Sequence, residues 1–288
     1  MKKSGFDVHL LEIKITMGSN LDKGTNGPGC MERAIITTPA MHEKIVQKIG
    51  AEYAKKKFDL QTLISYIDQD YKFRRSFIAG LAKNKDHHVE VLKKYPCFQD
   101  HRMVIHEAFQ VIEHERKIKK LTNCNTDRLE VEIDHLITWA TLKLQMMPKD
   151  NKPATRLTFL LNNLPCIIGN KQKLSKKLVH DVAYSDKNRP NVQVLSNFDQ
   201  IVMVYEEEKM KLFLRGKHLT TVSLVDAVPT MLAYYYLFDM DYPLNYDTGF
   251  HFLQYVIFGD SIVPKNLEKT LDNFNDAYSK FKIERLRQ

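Results

Sequence analysis

Residues 224–259 read LVDAVPTMLAYYYLFDMDYPLNYDTGFHFLQYVIFG and crowd Tyr234, Tyr235, Tyr236, Phe238, Tyr242, Tyr246, Phe250, Phe252, Tyr255 and Phe258 into one short stretch. Aromatic rings bury large areas, so a segment like this must sit at the centre of a core or an interface. Ser223, with Asp226 three residues on, can cap a helix here as an acidic form of the capping box. Pro229 costs that helix a backbone hydrogen bond and should bend it early. Asp239 to Pro243 ends it, Asp247 can cap a second helix, and Gly259 can close that one. The stretch is thus two helices joined by a turn, with rings facing apolar neighbours. That pattern favours core packing over a platform for stacking bases.

The rest of the chain is read against this anchor. Thr38 and Pro39 can open a helix in which Met41, Ile45, Ile49 and Tyr53 form a stripe. Asp59 starts a second helix, with Leu60, Leu63, Ile64 and Ile67 on one face, and a third is expected from Tyr71 to Lys83. Pro96 breaks the chain, and residues 101–119 form another helix carrying Phe109 and Ile112. Residues 127–147 are the best patterned: Leu129, Ile133, Leu136, Ile137, Ala140, Leu144 and Met147 share a face, and Pro148 stops the run. Trp139 lies off that face and is expected on a second contact surface. Shorter helices are expected at Ala154 to Asn163 and Lys173 to Ala183.

Residues 192–195 and 200–205 are β-rich, and Met210, Leu212 and Leu214 alternate after the acidic turn at Glu206, Glu207 and Glu208, which predicts a hairpin. After Pro264, Leu267, Leu271, Phe274, Tyr278 and Phe281 mark a last amphipathic helix. At the other end, residues 6–17 alternate as a strand and 18–29, GSNLDKGTNGPG, read as a loop. The expected fold class is mainly α with a small antiparallel β hairpin or sheet (α+β). The expected organisation is an N-terminal strand and loop (1–38), a helical region (39–188), and a hairpin with aromatic-rich helices (189–288).

Candidate chemistry is sparse. Glu12-x-Lys14 in the first strand is what a metal nuclease of the restriction-endonuclease type would carry, but the only earlier acid, Asp7, is too close to lie on a separate strand. His101, His106 and His114, with Cys97, Gln110 and Cys124 nearby, lack the four-residue spacing of a zinc-protease helix. Asp68-x-Asp70 and Asp239-x-Asp241 could hold a cation or do acid–base work, yet they fall where helices are expected to end and Asp commonly caps. No catalytic residue, cofactor or metal ligand is assigned.

The net charge of +8 is mild for 288 residues. Its basic clusters are Lys55-Lys56-Lys57, Arg74-Arg75, Lys93-Lys94, Arg116 to Lys120 and Lys171 to Lys177, which could combine into a phosphate-contacting face or remain solvated helix surface. The cysteines Cys30, Cys97, Cys124 and Cys166 have no CxxC spacing, pointing to a reducing compartment. No run is long and apolar enough to span a membrane. An intracellular protein, cytoplasmic or nuclear and not membrane-bound, is the expectation.

DYKFRRSFIAGLAKNKDHHVEVLKKYP at 70–96, together with the hairpin, AYYYLFDMDYP and FLQYVIFG within 200–259, resembles the C-terminal half of the sterile-alpha-motif domain-containing protein 3-like family of animals, whose copies are transposon-like in number. The matching positions are hydrophobic and turn residues. The resemblance implies an architecture, a helical region followed by a hairpin-and-helices module, and carries no site residues over. Taken together, these features favour a non-enzymatic binding or scaffold protein, with a protein partner or self-association through the aromatic module. The competing expectation is a mobile-element-derived nucleic-acid binder, with a degenerate metal-dependent nuclease as its sharpest form.

Overall fold

Helix α1, Pro39–Tyr53, begins the part of the chain placed by the computed structural model, which describes residues 39–81, 84–117, 124, 126–168, 178–181 and 198–287. Glu12, Lys14, Asp7, Cys30, Thr38, Ile118 to Lys120, Lys171 to Lys177 and the expected strand at 192–195 lie outside the described residues. Ile45 and Ile49 bury as the stripe requires, but His42 and Glu52 join them while Met41 stays exposed, so the packing face is turned from the one expected.

Helix α2, Leu60–Leu81, is one continuous element where two were expected. Asp59 caps it, its carboxylate accepting hydrogen bonds from Gln61 N (3.0 Å) and Thr62 Oγ1 (2.6 Å). Neither Gly nor Pro stands between Ile67 and Tyr71, so nothing breaks the ladder there. Asp68 and Asp70 are therefore mid-helix residues and not a helix end. Helix α3, His87–Lys94, leads into a 3-10 turn at Pro96–Gln99 and then α4, His101–His114, which is shorter than expected. Helix α5, Thr126–Leu144, buries Leu129, Leu136, Ile137 and Ala140, and stops before Met147, which is exposed. Helix α6 spans Pro153–Ile167.

The sheet has the order β1-β2-β3-β4, formed by Val179–Asp181, Ile201–Glu206, Lys209–Leu214 and Lys217–Val222. Strands β2, β3 and β4 are antiparallel, as a small antiparallel sheet should be, and β1 adds a short parallel edge. Residues 179–181 had been expected to be helical. Asn162 of α6 decides otherwise: its Oδ1 accepts hydrogen bonds from Leu178 N (2.9 Å) and Val179 N (2.8 Å), and its Nδ2 donates to Val179 O (3.0 Å), which pins the segment extended beside β2. Glu207 and Glu208 (φ 51° and 62°) turn the first hairpin, and Arg215 and Gly216 (φ 50° and 74°) the second. Paired positive φ matches the twist of the flanking strands.

Helices α7, Leu224–Leu237, α8, Asp247–Phe258, and α9, Lys265–Leu286, complete the chain. Ser223 caps α7, its Oγ accepting from Asp226 N at 3.3 Å and donating to Asp226 Oδ2 at 2.7 Å. Pro229 is accommodated inside α7. Tyr246, not Asp247, is the N-cap of α8; Asp247 is its first helical residue and bonds Thr248 N instead. Gly259 closes α8 in the left-handed region (φ 66°). One core cluster runs from Ile45 to Phe281 and takes in nearly every ring of the aromatic stretch. Trp139 supplies the second surface of α5, meeting Phe274, Tyr278 and Phe281 of α9 edge-on at 6.0, 5.9 and 5.3 Å. Among the described residues no helix is long and apolar enough to cross a membrane.

Candidate functional site

Helices α4 and α7 pack against each other and run the same way. At their starts, Thr220 Oγ1 donates to Gln99 O (2.7 Å) and His101 Nε2 lies 3.9 Å from Asp226 Oδ2. Their C-terminal ends therefore meet, bringing together two sets of unpaired carbonyls and two negative dipole ends. Arg75 of α2 holds this junction. Its Nε donates to Glu115 Oε1 (2.9 Å), its Nη1 to Tyr236 O and Leu237 O (each 3.1 Å), and its Nη2 lies 3.5 Å from Asp239 Oδ1.

Beside this junction a cavity of about 600 Å³ opens to solvent. Asp260, fully buried and outside the lining itself, bonds three residues of it: it accepts Tyr236 OH (2.6 Å) and Ile262 N (3.0 Å), and its Oδ2 lies 3.2 Å from Arg116 Nε. The left-handed turn at Gly259 delivers Asp260 to that position. Gln254 accepts Tyr242 OH (2.9 Å) and donates to Asp260 O and Ile262 O (each 3.2 Å). Tyr235, Tyr242, Met240 and Val263 add apolar wall, and Glu115, Lys117, Asp239 and Asp241 stand among the lining. Burial drives the Tyr236 hydroxyl well above the usual phenol range, with Tyr242 and Asp260 adding to the effect. Burial, then the Arg116 charge, lowers His251 below the ordinary histidine value, so its imidazole is neutral at neutral pH. Volume, apolar wall and fixed polar groups are those of a small-molecule site.

A second polar cluster lies inside the helical part, away from solvent. Arg74, fully buried, donates through Nε (3.1 Å) and Nη2 (2.6 Å) to Glu107 and through Nη1 to Ile67 O (2.7 Å). Asp70, equally buried, accepts Tyr95 OH at 2.7 Å and pairs with His42 Nδ1 at 2.5 Å. Buried charges need such partners because leaving water costs several kcal/mol per ion, roughly, before pairing. This cluster joins α1, α2, Tyr95 and α4.

The structure thus divides the residues singled out by sequence. Asp239 and Asp241 reach the cavity with Arg116 and Lys117, while Asp68 and Asp70 part company. Asp68 accepts His106 Nε2 and Gln110 Nε2, each at 2.6 Å. His114 packs on Tyr71 (4.7 Å), and His101 faces Asp226, so the histidines do not converge. Among the described residues no group of His, Cys, Asp and Glu could hold a metal ion. Cys97 and Cys124 are pushed up to about 12 by burial, which keeps both as thiols. Of the basic clusters, Arg74-Arg75 is internal: both are taken up by Glu107, Glu115 and helix carbonyls. Lys55 pairs with Glu52, and Lys94 with Glu43 (3.4 Å), leaving Lys56, Lys57 and Lys93 exposed. Sequence reasoning passed over His251, Gln254 and Asp260. The only local signal for them was Gly259, whose turn sets Asp260 in place.

The chain matches no known protein family, no curated protein and no solved structure.

Proposed function

We propose that the chain is a non-enzymatic binding protein acting inside the cell, and that its ligand occupies the cavity beside the C-terminal ends of α4 and α7. The observation that supports this most is the hydrogen-bonded network behind the lining of that cavity. Asp260, Tyr236, Tyr242 and Gln254 are tied to one another and to Arg116, which favours holding a ligand over moving protons. Groups already locked in good geometry lose little entropy when a ligand arrives. The rings of the aromatic stretch serve the chain's own core, so a partner protein would meet exposed residues such as Val225, Leu244 and Ile262 instead.

Ligand-detected NMR with mixtures of small amines, carboxylates, phosphates and neutral aromatics tests the reading. Hits are expected on the wild-type chain and should vanish in Val263→Trp, which fills the cavity. Hits that survive the block, or none at all, would refute it. The nucleic-acid alternative retains the exposed Lys56, Lys57 and Lys93 but loses Arg74 and Arg75 to the interior. Retention on nucleic-acid beads at low salt, fading as salt rises, would bring it back.

A further inference from the structure

We propose that His87 is a pH-sensitive clasp on the C-terminal end of α7: its imidazolium form holds that end, and loss of one proton releases it. The clasp governs the segment that runs on into the cavity lining at Asp239 and Met240, and it stands whatever the cavity holds.

Hydrogen-bond chemistry carries the argument. His87 opens α3 and is 8% exposed. Its Nδ1 lies 2.9 Å from Asn84 O, and its Nε2 lies 3.0 Å from Phe238 O. Both partners are main-chain carbonyls, which accept and never donate. A neutral imidazole has one N–H, so in either tautomer one nitrogen would turn its lone pair on a carbonyl oxygen. Only the imidazolium answers both. Asn84 O also accepts His87 N at 3.1 Å, and the ring stands edge-on to that of Phe238 with centres 5.9 Å apart, so the seat is fixed from two sides.

The position of the second carbonyl adds to this. Phe238 is the C-cap of α7, and its carbonyl belongs to the negative pole of the helix, which favours a cation. Arg75 answers the two carbonyls before it, Tyr236 O and Leu237 O. Arginine keeps its charge at every relevant pH, so His87 is the member of the pair that titrates. The other charged groups about His87 are Lys85 and Asp86 in the turn before α3, Glu90 within it and Asp239 just after Phe238. Arg215 and Lys217 of the second hairpin bear on His88 next door. Burial makes His88 resist protonation, so its titration weakens the fold on the acid side. Bonds made by an imidazolium are instead present on the acid side and lost as pH rises. The two histidines therefore act with opposite sign.

The test pairs nitrogen-15 NMR of the His87 ring with native-state hydrogen exchange on the full chain. The amides of Phe238, Asp239 and Met240, which bond Tyr234 O, Tyr236 O and Tyr235 O, report on the end of α7. At about pH 5.5 both ring nitrogens of His87 should carry protons. Protection of the three amides, corrected for the intrinsic pH dependence of exchange, should fall about tenfold by about pH 8.5, the loss of one charge-assisted bond. His87→Gln offers Phe238 O a donor that does not titrate, so its protection should stay level over the same range. A wild-type ring with a single proton at about pH 5.5 overturns the proposal. So does wild-type protection that holds or rises with pH, and so does a fall that persists in His87→Gln.

Discussion

His88 is fully buried at the start of α3, against the ring of Phe238 (6.1 Å), and neither of its ring nitrogens has a partner among the described residues. Burial, followed by the neighbouring His87, depresses its pKa from 6.5 to about 4. Because the folded value lies below the unfolded one, the unfolded chain binds the proton first. The protonation of His88 therefore costs the fold nothing above the unfolded value, and stability is lost as pH falls from 6.5 towards about 4. The full shift corresponds to about 3 kcal/mol. Between neutral pH and pH 5 it amounts to about 2 kcal/mol, and to about 1 once screening by water is allowed for. His88→Leu, a change of similar volume, removes the titration and the two unpaired nitrogens together. Each unsatisfied buried polar group costs roughly 1–3 kcal/mol, against less than about 1.5 for the change in shape. The variant should be more stable than wild type at neutral pH, and its advantage should widen by about 1–2 kcal/mol at pH 5. Urea denaturation at the two pH values, followed by fluorescence of Trp139, reads both quantities. An advantage that stays constant with pH, or a variant less stable at neutral pH, would refute the reasoning and assign His88 a partner.

Arg74→Leu should destabilise the chain by about 3–5 kcal/mol, because Glu107 and Asp70 would stay buried without a cation; thermal unfolding checks this, and the added change Glu107→Leu should recover part of the loss. Gly249 of α8 faces α6 so closely that a Cβ would fall 2.4 Å from Leu164 Cγ. Gly249→Ala should therefore cost about 1–3 kcal/mol despite the better helix propensity of Ala, and a double-mutant cycle with Leu164→Ala should show strong coupling. Arg75→Met should unsettle the C-terminal ends of α4 and α7, which native-state hydrogen exchange at Leu237 to Met240 would register as faster exchange. Glu132 accepts both Tyr278 OH (2.7 Å) and Lys282 Nζ (2.9 Å), so Glu132→Gln should loosen α9 and shift the emission of Trp139, which lies against it.

What the sequence made legible was local. The stripe Leu267, Leu271, Phe274, Tyr278 and Phe281 is buried throughout, and Ser223 and Gly259 punctuate α7 and α8 where their chemistry says they should. The missed elements share a cause. Strand β4, KHLTTV, shows little apolar alternation, and only pairing with β3 reveals it. Residues 179–181 turn into a strand through Asn162, a contact from another helix. Asp70 read as a cap at a helix end and Arg74 as part of a solvated basic face; Glu107, Tyr95 and His42, all distant in sequence, reverse both. The cavity had the faintest trace. Asp239-x-Asp241 and the Arg116 cluster both attracted notice, but nothing in either segment says that they meet, and Asp260 carries no motif.

The junction held by Arg75 has a consequence for the order of folding. Its acceptors, Glu115, Tyr236 and Leu237, lie far from residue 75 along the chain, the last two 161 and 162 positions away. A hairpin such as β2–β3 closes within about 1–10 μs from neighbouring residues alone, whereas contacts this distant must wait for the loops between them to be closed. On loop-closure entropy alone the mouth of the cavity is expected to assemble late, an order that pulsed hydrogen exchange at Leu237 to Met240 would read. A ligand seated there would act on folding as a clasp, holding shut contacts that loop closure delays.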